Sequence, residues 1–107
     1  SMLVDVSYFI SGPRQIRNAT TAKMPTAEGL SANNVIYGYI RSFQRKFLND
    51  VVGFTLAGQI TDYLEIIEMN PKTENDTVSP YEYVCRQLRE SFADYVFYHI
   101  LRDMNTD

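Results

Sequence analysis

Cys85 and His99 are the two side chains of this 107-residue chain that could form a nucleophile and its base, a thiolate made reactive by a neighbouring imidazole. The chain has one cysteine and one histidine, and both fall in a stretch with helical periodicity. Fourteen residues along one unbroken helix separate them by about 21 Å, so they cannot meet within a subunit. They read as a core thiol and a helix-end imidazole. The same scarcity argues against a zinc site, which needs several soft or borderline ligands. Asp62, Glu65 and Glu68 stand at three-residue steps and could offer oxygens to a hard cation or share a proton. No glycine-containing calcium loop surrounds them, and charge on a solvated helix face explains them more simply. No glycine-rich phosphate loop follows a strand pattern. The expectation is a protein with no catalytic residue, no cofactor and no metal.

Composition narrows the classes further. A chain that is 45% hydrophobic and 21% charged is expected to fold, not to stay disordered. Its length makes one domain, with a marginal core unless it oligomerises. Eight Tyr and six Phe are many for this size, and tyrosine is enriched at interfaces because it joins an apolar ring to a polar tip. The net charge of −3 makes no case for nucleic acid or an anionic membrane as the main partner. Its distribution says more, because the chain is +4 up to Lys46 and −7 from Phe47 onward. Such a split is either satisfied inside the fold or lets one subunit's basic surface meet the next one's acidic surface in a head-to-tail ring. A single cysteine excludes an internal disulfide framework and fits a reducing compartment. No apolar run approaches the roughly 20 residues of a membrane span, and no signal-peptide pattern is present. Ser1-Met2 reads as a tag remnant ahead of an initiator methionine. The expected location is cytoplasmic, with no membrane partner.

The elements that position these residues follow from periodicity and breakers. Leu3 to Ile10 is either a helical turn or a strand fragment, Ser11-Gly12-Pro13 breaks the chain, and residues 14–30 read as a long loop that Ile16 and Met24 could anchor. A first helix is expected over about 32–52, capped by Ser31. Its stripe is Val35, Ile36, Tyr39, Ile40, Phe43, Phe47, Leu48 and Val51, with Arg41, Arg45 and Lys46 outside it. Gly38 in its middle implies either close packing or tolerance by a long helix. Gly53 supplies a stop. A second helix over about 54–69 turns Leu56, Ile60, Tyr63, Leu64 and Ile67 inward and Asp62, Glu65 and Glu68 outward. It has no Lys or Arg, which weighs against its entering a DNA groove. Ser79-Pro80-Tyr81-Glu82 combines a cap, a proline at the first helical position and a glutamate placed for a capping box, so a third helix is expected over about 80–104. The fold class is all-α: three main helices in a single domain, with 1–30 as an irregular N-terminal arm and 31–107 as the helical part.

The third helix is the organising element. Tyr81, Val84, Cys85, Leu88 and Phe92 make one apolar stripe, and after Asp94 the helix is apolar nearly all round. Its aromatic end is therefore either core or an interface waiting for another subunit. The residues expected to pack or make contact are Tyr95, Phe97, Tyr98 and Leu101 there, and Tyr8, Phe9 and Ile16 for docking the arm. Arg41, Arg45 and Lys46 are a candidate basic patch.

The stretches Tyr8-Phe-Ile-Ser-Gly-Pro13 with Ile16 and Asn18-Ala19, Phe43-Gln-Arg-Lys-Phe-Leu-Asn-Asp-Val-Val-Gly53 running on through Leu56 to Ile60, and Phe92-Ala-Asp-Tyr-Val-Phe-Tyr-His-Ile-Leu-Arg-Asp103 together resemble the head-to-tail connector, or head-completion, proteins of tailed phages and prophages, particularly those of gut Bacteroides. The resemblance implies a small helical adaptor that assembles as a homo-oligomeric ring between portal and tail proteins. Such a ring lines a channel for DNA, touching it non-specifically and without catalysis. The location would then be the host cytoplasm during assembly and the virion neck afterwards. The rival reading is a small cytosolic dimeric helical adaptor or regulatory module. It predicts a closed dimer with the aromatic end paired across a two-fold axis. An enzyme would require turnover that depends on Cys85 or His99.

Overall fold

The computed structural model describes residues 1–16, 32–71 and 77–104. Among them the protein is all-helical, with two long helices, α1 (Ala32–Met69) and α2 (Pro80–Met104), and two short 3-10 turns, Val6–Phe9 and Gly12–Arg14. The helices expected over about 32–52 and 54–69 appear as one long element, joined end to end at a kink. Gly53 still interrupts α1, with φ 86° and ψ 162°. Only glycine adopts that conformation without strain. It divides α1 into a first limb, residues 32–52, and a second, residues 54–69.

The kink at Gly53 is large. A straight helix would hold Gln44 and Leu64 about 30 Å apart. The Leu3 amide donates to Gln44 Oε1 at 2.6 Å and the Ser1 amino group donates to the Leu64 carbonyl at 3.1 Å. Two residues of chain between those donors span about 7 Å at most. The limbs therefore close toward each other, and the N-terminal segment lies in the angle between them. Leu3, Val4 and Phe9 are buried there with Ile36, Ile40, Leu48, Ile60 and Leu64 of α1. The segment is closed on itself by Asp5, whose carboxylate accepts from the Ser7 amide at 2.9 Å, and by the Ile16 amide, which donates to the Phe9 carbonyl at 2.8 Å.

α2 begins where the sequence signals place it, and the Tyr81 amide donates to Ser79 Oγ at 3.1 Å. It packs against both limbs, antiparallel to the first, with Tyr81 beside Tyr63 at its start and Phe92, Tyr95 and His99 beside Phe47 and Phe43 further on. Cys85, Phe92, Ala93, Val96 and Ile100 form its buried face. Val51, expected in the first limb's stripe, is exposed at the kink, because the stripe ends where Gly53 breaks the helical phase. The Ser31 cap, Met24 and the rest of residues 17–31 lie outside the described residues, as do residues 72–76.

Candidate docking surfaces

The two residues with nucleophile and base chemistry are held apart and put to other uses. The Cys85 thiol is fully buried, and that burial pushes its pKa up, away from the reactive thiolate. His99 stacks on Phe43 with centroids 4.1 Å apart and planes 13° from parallel, and Tyr95 and Tyr98 meet it edge-on. Burial pushes the His99 pKa down, helped by the nearby positive charge of Arg102. Both sit on the unbroken α2, so the spacing of about 21 Å holds.

The interior polar groups fasten elements together. Glu82 accepts from the Tyr63 hydroxyl at 2.6 Å, from Arg89 Nη1 at 2.9 Å and from Arg86 Nε at 3.3 Å. Burial alone would raise its pKa, but the bonds from Arg89 and Tyr63 outweigh burial and hold the carboxyl below its ordinary value. Burial, with Glu82 beside it, raises the Tyr63 phenol. Arg89 Nε then donates to the Leu3 carbonyl at 2.9 Å. One carboxylate thus ties α2 to the second limb and, through Arg89, to the N-terminal segment. Gln44, only 6% exposed, completes the attachment from the first limb through its bond from the Leu3 amide. At the far end of α2 the Tyr39 hydroxyl donates to Asp103 at 2.6 Å. Burial first and Asp103 second push that phenol up to about 12. Periodicity could not find Gln44, Glu82 or Arg89 as fasteners, since their partners lie far away in sequence. The short spacing Glu82, Arg86, Arg89 on one helix face was the one available signal.

The residues expected to make contacts divide between core and surface. Phe9 is fully buried and docks the N-terminal segment onto the core of its own chain. Tyr8 and Ile16 pack half-buried against the same core, and the Arg14 guanidinium lies over the Tyr8 ring at 5.7 Å. Arg14 also pairs with Glu90 and Asp94 on the outer face of α2. Tyr95 and Phe97 are half-buried, with Tyr95 against Phe43, Phe47 and Phe92. Tyr98, at 61% exposure, and Leu101 stand outward one turn apart. The aromatic end is therefore core on one side and surface on the other. Arg41, Arg45 and Lys46 are exposed on the first limb, where Arg45 Nε donates to Asn49 and Lys46 pairs with Asp50.

Other apolar groups are exposed that the sequence pattern had not singled out. Phe54 (76%), Ile66 (59%) and Met69 (78%) project from the second limb. A groove of about 380 Å³ lies on the first limb between Val35, Gly38, Tyr39, Ser42 and Phe43, with Asp103 at its edge. Among the described residues no cluster of three or more His, Cys, Asp or Glu is placed to hold a metal ion, and no helix is long and apolar enough to cross a membrane. Comparison of the chain with protein-family models, with curated proteins and with solved structures finds no match.

Proposed function

We propose that this protein is a non-catalytic assembly protein, a head-to-tail connector subunit of a tailed phage or prophage, which self-associates and docks between portal and tail proteins. The observation that supports it is the division of labour among its side chains. Gln44, Glu82, Arg89 and Tyr39 are spent on fastening elements, while Phe54, Ile66, Met69, Tyr98 and Leu101 stand in solvent on the outsides of both long helices. Large apolar groups on several faces of one small subunit suit contacts with more than one neighbour. The three rods expected from the sequence, two of them joined at Gly53, are the form this adaptor takes. Any meeting with DNA in the ring is non-specific and made by Arg41, Arg45 and Lys46. Assembly takes place in the host cytoplasm, and the finished ring belongs to the virion neck.

The second reading, a dimeric regulatory adaptor, draws on Tyr98 and Leu101, a compact pair that a two-fold axis could set against itself. Negative-stain electron microscopy of the concentrated protein separates the two. Rings with an open centre support the connector. Uniform two-lobed particles at every concentration would replace it with the closed dimer.

A further inference from the structure

Leu3 is the point at which the helical rods are tied together. Its amide donates to Gln44 Oε1 of the first limb at 2.6 Å, and its carbonyl accepts from Arg89 Nε of α2 at 2.9 Å. Arg89 Nη1 bonds in turn to Glu82, and Glu82 accepts from the Tyr63 hydroxyl of the second limb. One hydrogen-bonded chain therefore runs from the first limb to the second, and it passes through the backbone of the N-terminal segment. Gln44 is buried, so its bond to Leu3 is shielded from competing water. Leu3, Val4 and Phe9 lie in one buried cluster with Ile36, Ile40, Leu48, Ile60 and Leu64 of the two limbs. The segment adds no turn to either long helix, so it can leave without unwinding them.

The joint that the segment spans has little to hold it from within. Gly53 stands between the limbs at φ 86° and ψ 162°, and a Cβ there would meet nothing within 4 Å. Glycine is the residue whose torsions turn most freely, and hinges are a few such positions at the ends of elements. The charged groups of the limbs do not close the angle. Arg45 and Lys46 bond to Asn49 and Asp50 of their own limb, and Arg41, Asp62 and Glu65 make no ion pair among the described residues. Near the joint Arg45 Nη2 lies 3.4 Å from where a Gly58 Cβ would stand, a contact by the end of a long side chain that sets no angle.

We propose that residues 1–9 are a removable strap across a hinge at Gly53. While Gln44 and Arg89 grip Leu3 the limbs stay closed; when the strap is withdrawn the second limb swings outward and uncovers the apolar inner faces of both. The closed form predominates in the free protein, because Leu3, Val4 and Phe9 are buried in it. The faces carrying Ile36, Ile40, Leu48, Ile60 and Leu64 are then a surface that exists only in the released form. The device does not depend on the assembly reading above.

The test is the distance between spin labels at Ser42→Cys and Ile66→Cys in a Cys85→Ala background, measured by pulsed electron paramagnetic resonance. Both label sites are exposed and lie on opposite limbs. Ile66 stands about 20 Å beyond the joint, so a swing of about 30° moves it by about 10 Å. Two variants of this parent release the strap by different routes. Leu3→Asp places a charge in the apolar seat, and Gln44→Leu removes the grip while leaving residues 1–9 as they are. Amide exchange at residues 3–9 reports whether the strap has left, and far-UV circular dichroism whether α1 and α2 persist. The expected result is one narrow distance in the parent and, in both variants, fast exchange at residues 3–9, unchanged helicity and distances extended by about 10 Å. The proposal is overturned if exchange quickens and the distance does not change, or if residues 3–9 remain protected in both variants. A parent whose distances are already broad overturns it as well. So does a loss of helicity along with the strap, which would make the segment ordinary core.

Discussion

At its start α2 is held by charge and directional hydrogen bonds, Glu82 collecting Tyr63, Arg86 and Arg89 at 2.6–3.3 Å, while at its end it is held by rings, with Tyr95 and His99 laid against Phe43 and Phe47. Hydrogen bonds fix distance and angle, so the start sets where α2 lies relative to the second limb and, through Arg89, where the N-terminal segment lies between the limbs. Ring packing is less directional, so the end adds cohesion through buried rings and aliphatic groups, Phe92, Val96 and Ile100 among them, more than through fixed geometry. The two outer faces differ as well. Glu90 and Asp94 on the middle of α2 are engaged by Arg14, whereas Tyr98 and Leu101 beyond them are uncovered among the described residues. The molecule thus keeps a polar, registered end and an apolar end whose outside is available for contact.

Breaking the ring end costs most. Phe92→Ala removes a fully buried ring and is expected to destabilise the fold by about 3–5 kcal/mol, measured by urea unfolding. Breaking the polar end costs somewhat less. Glu82→Ala removes the acceptor that the Tyr63 hydroxyl and Arg89 Nη1 share in a partly buried site, for a loss of about 2–3 kcal/mol. The same substitution should release the N-terminal segment, seen as faster amide exchange at Leu3, whereas Phe92→Ala should leave the order of exchange along residues 1–9 unchanged. Gly53→Ala changes neither end directly but strains the backbone that sets the angle between them. A loss of about 1–3 kcal/mol is expected, since φ there is +86°.

Acid separates the ends without mutation. His99 has a folded pKa below its ordinary value, so folding favours its neutral form. Its contribution is present above about pH 6.5 and is lost as pH falls from there through the lowered folded value. Glu82 is also lowered, but from the carboxylate range, so its contribution persists to about pH 4 and is lost below that. The groups facing His99 are Arg102, Asp103 and Lys46, and only Asp103 favours the imidazolium. Ring-proton NMR during an acid titration should show Phe43, Tyr95 and His99 moving first, with the Tyr63 and Tyr81 signals following at lower pH. Simultaneous movement would mean that the ends are coupled. The smallest effect is expected from Tyr98→Ser with Leu101→Ser, about 1 kcal/mol in stability, because Tyr98 is 61% exposed and Leu101 37%.

The helical class, the break at Gly53 and the start of α2 were legible because each depends on local chemistry: a 3-and-4 spacing, a glycine that tolerates positive φ, a Ser-Pro pair. Ile36, Ile40, Phe47 and Leu48 turn inward as their spacing requires. Val51 does not, since a stripe extrapolated through a kink points the wrong way. The fate of Leu3 and Val4 was not legible, because a segment too short to show a period owes its burial to an angle made fifty residues later by Gly53. Gln44 fell inside an apolar stripe as an ordinary polar position, and its role depends on the Leu3 amide, forty-one residues away. The surfaces were legible only in part. The charge division along the chain was in view, as were Tyr98 and Leu101, but the exposure of Phe54, Ile66 and Met69 required knowing which faces stay uncovered.

The most direct measurement is the mass of the purified protein by light scattering across a wide concentration range, at low and at high salt. An assembly subunit working through opposed charges and exposed apolar groups should gain mass beyond a dimer as concentration rises at low salt, and lose part of that gain at high salt. A single mass unmoved by concentration and salt, whether monomer or closed dimer, would contradict it.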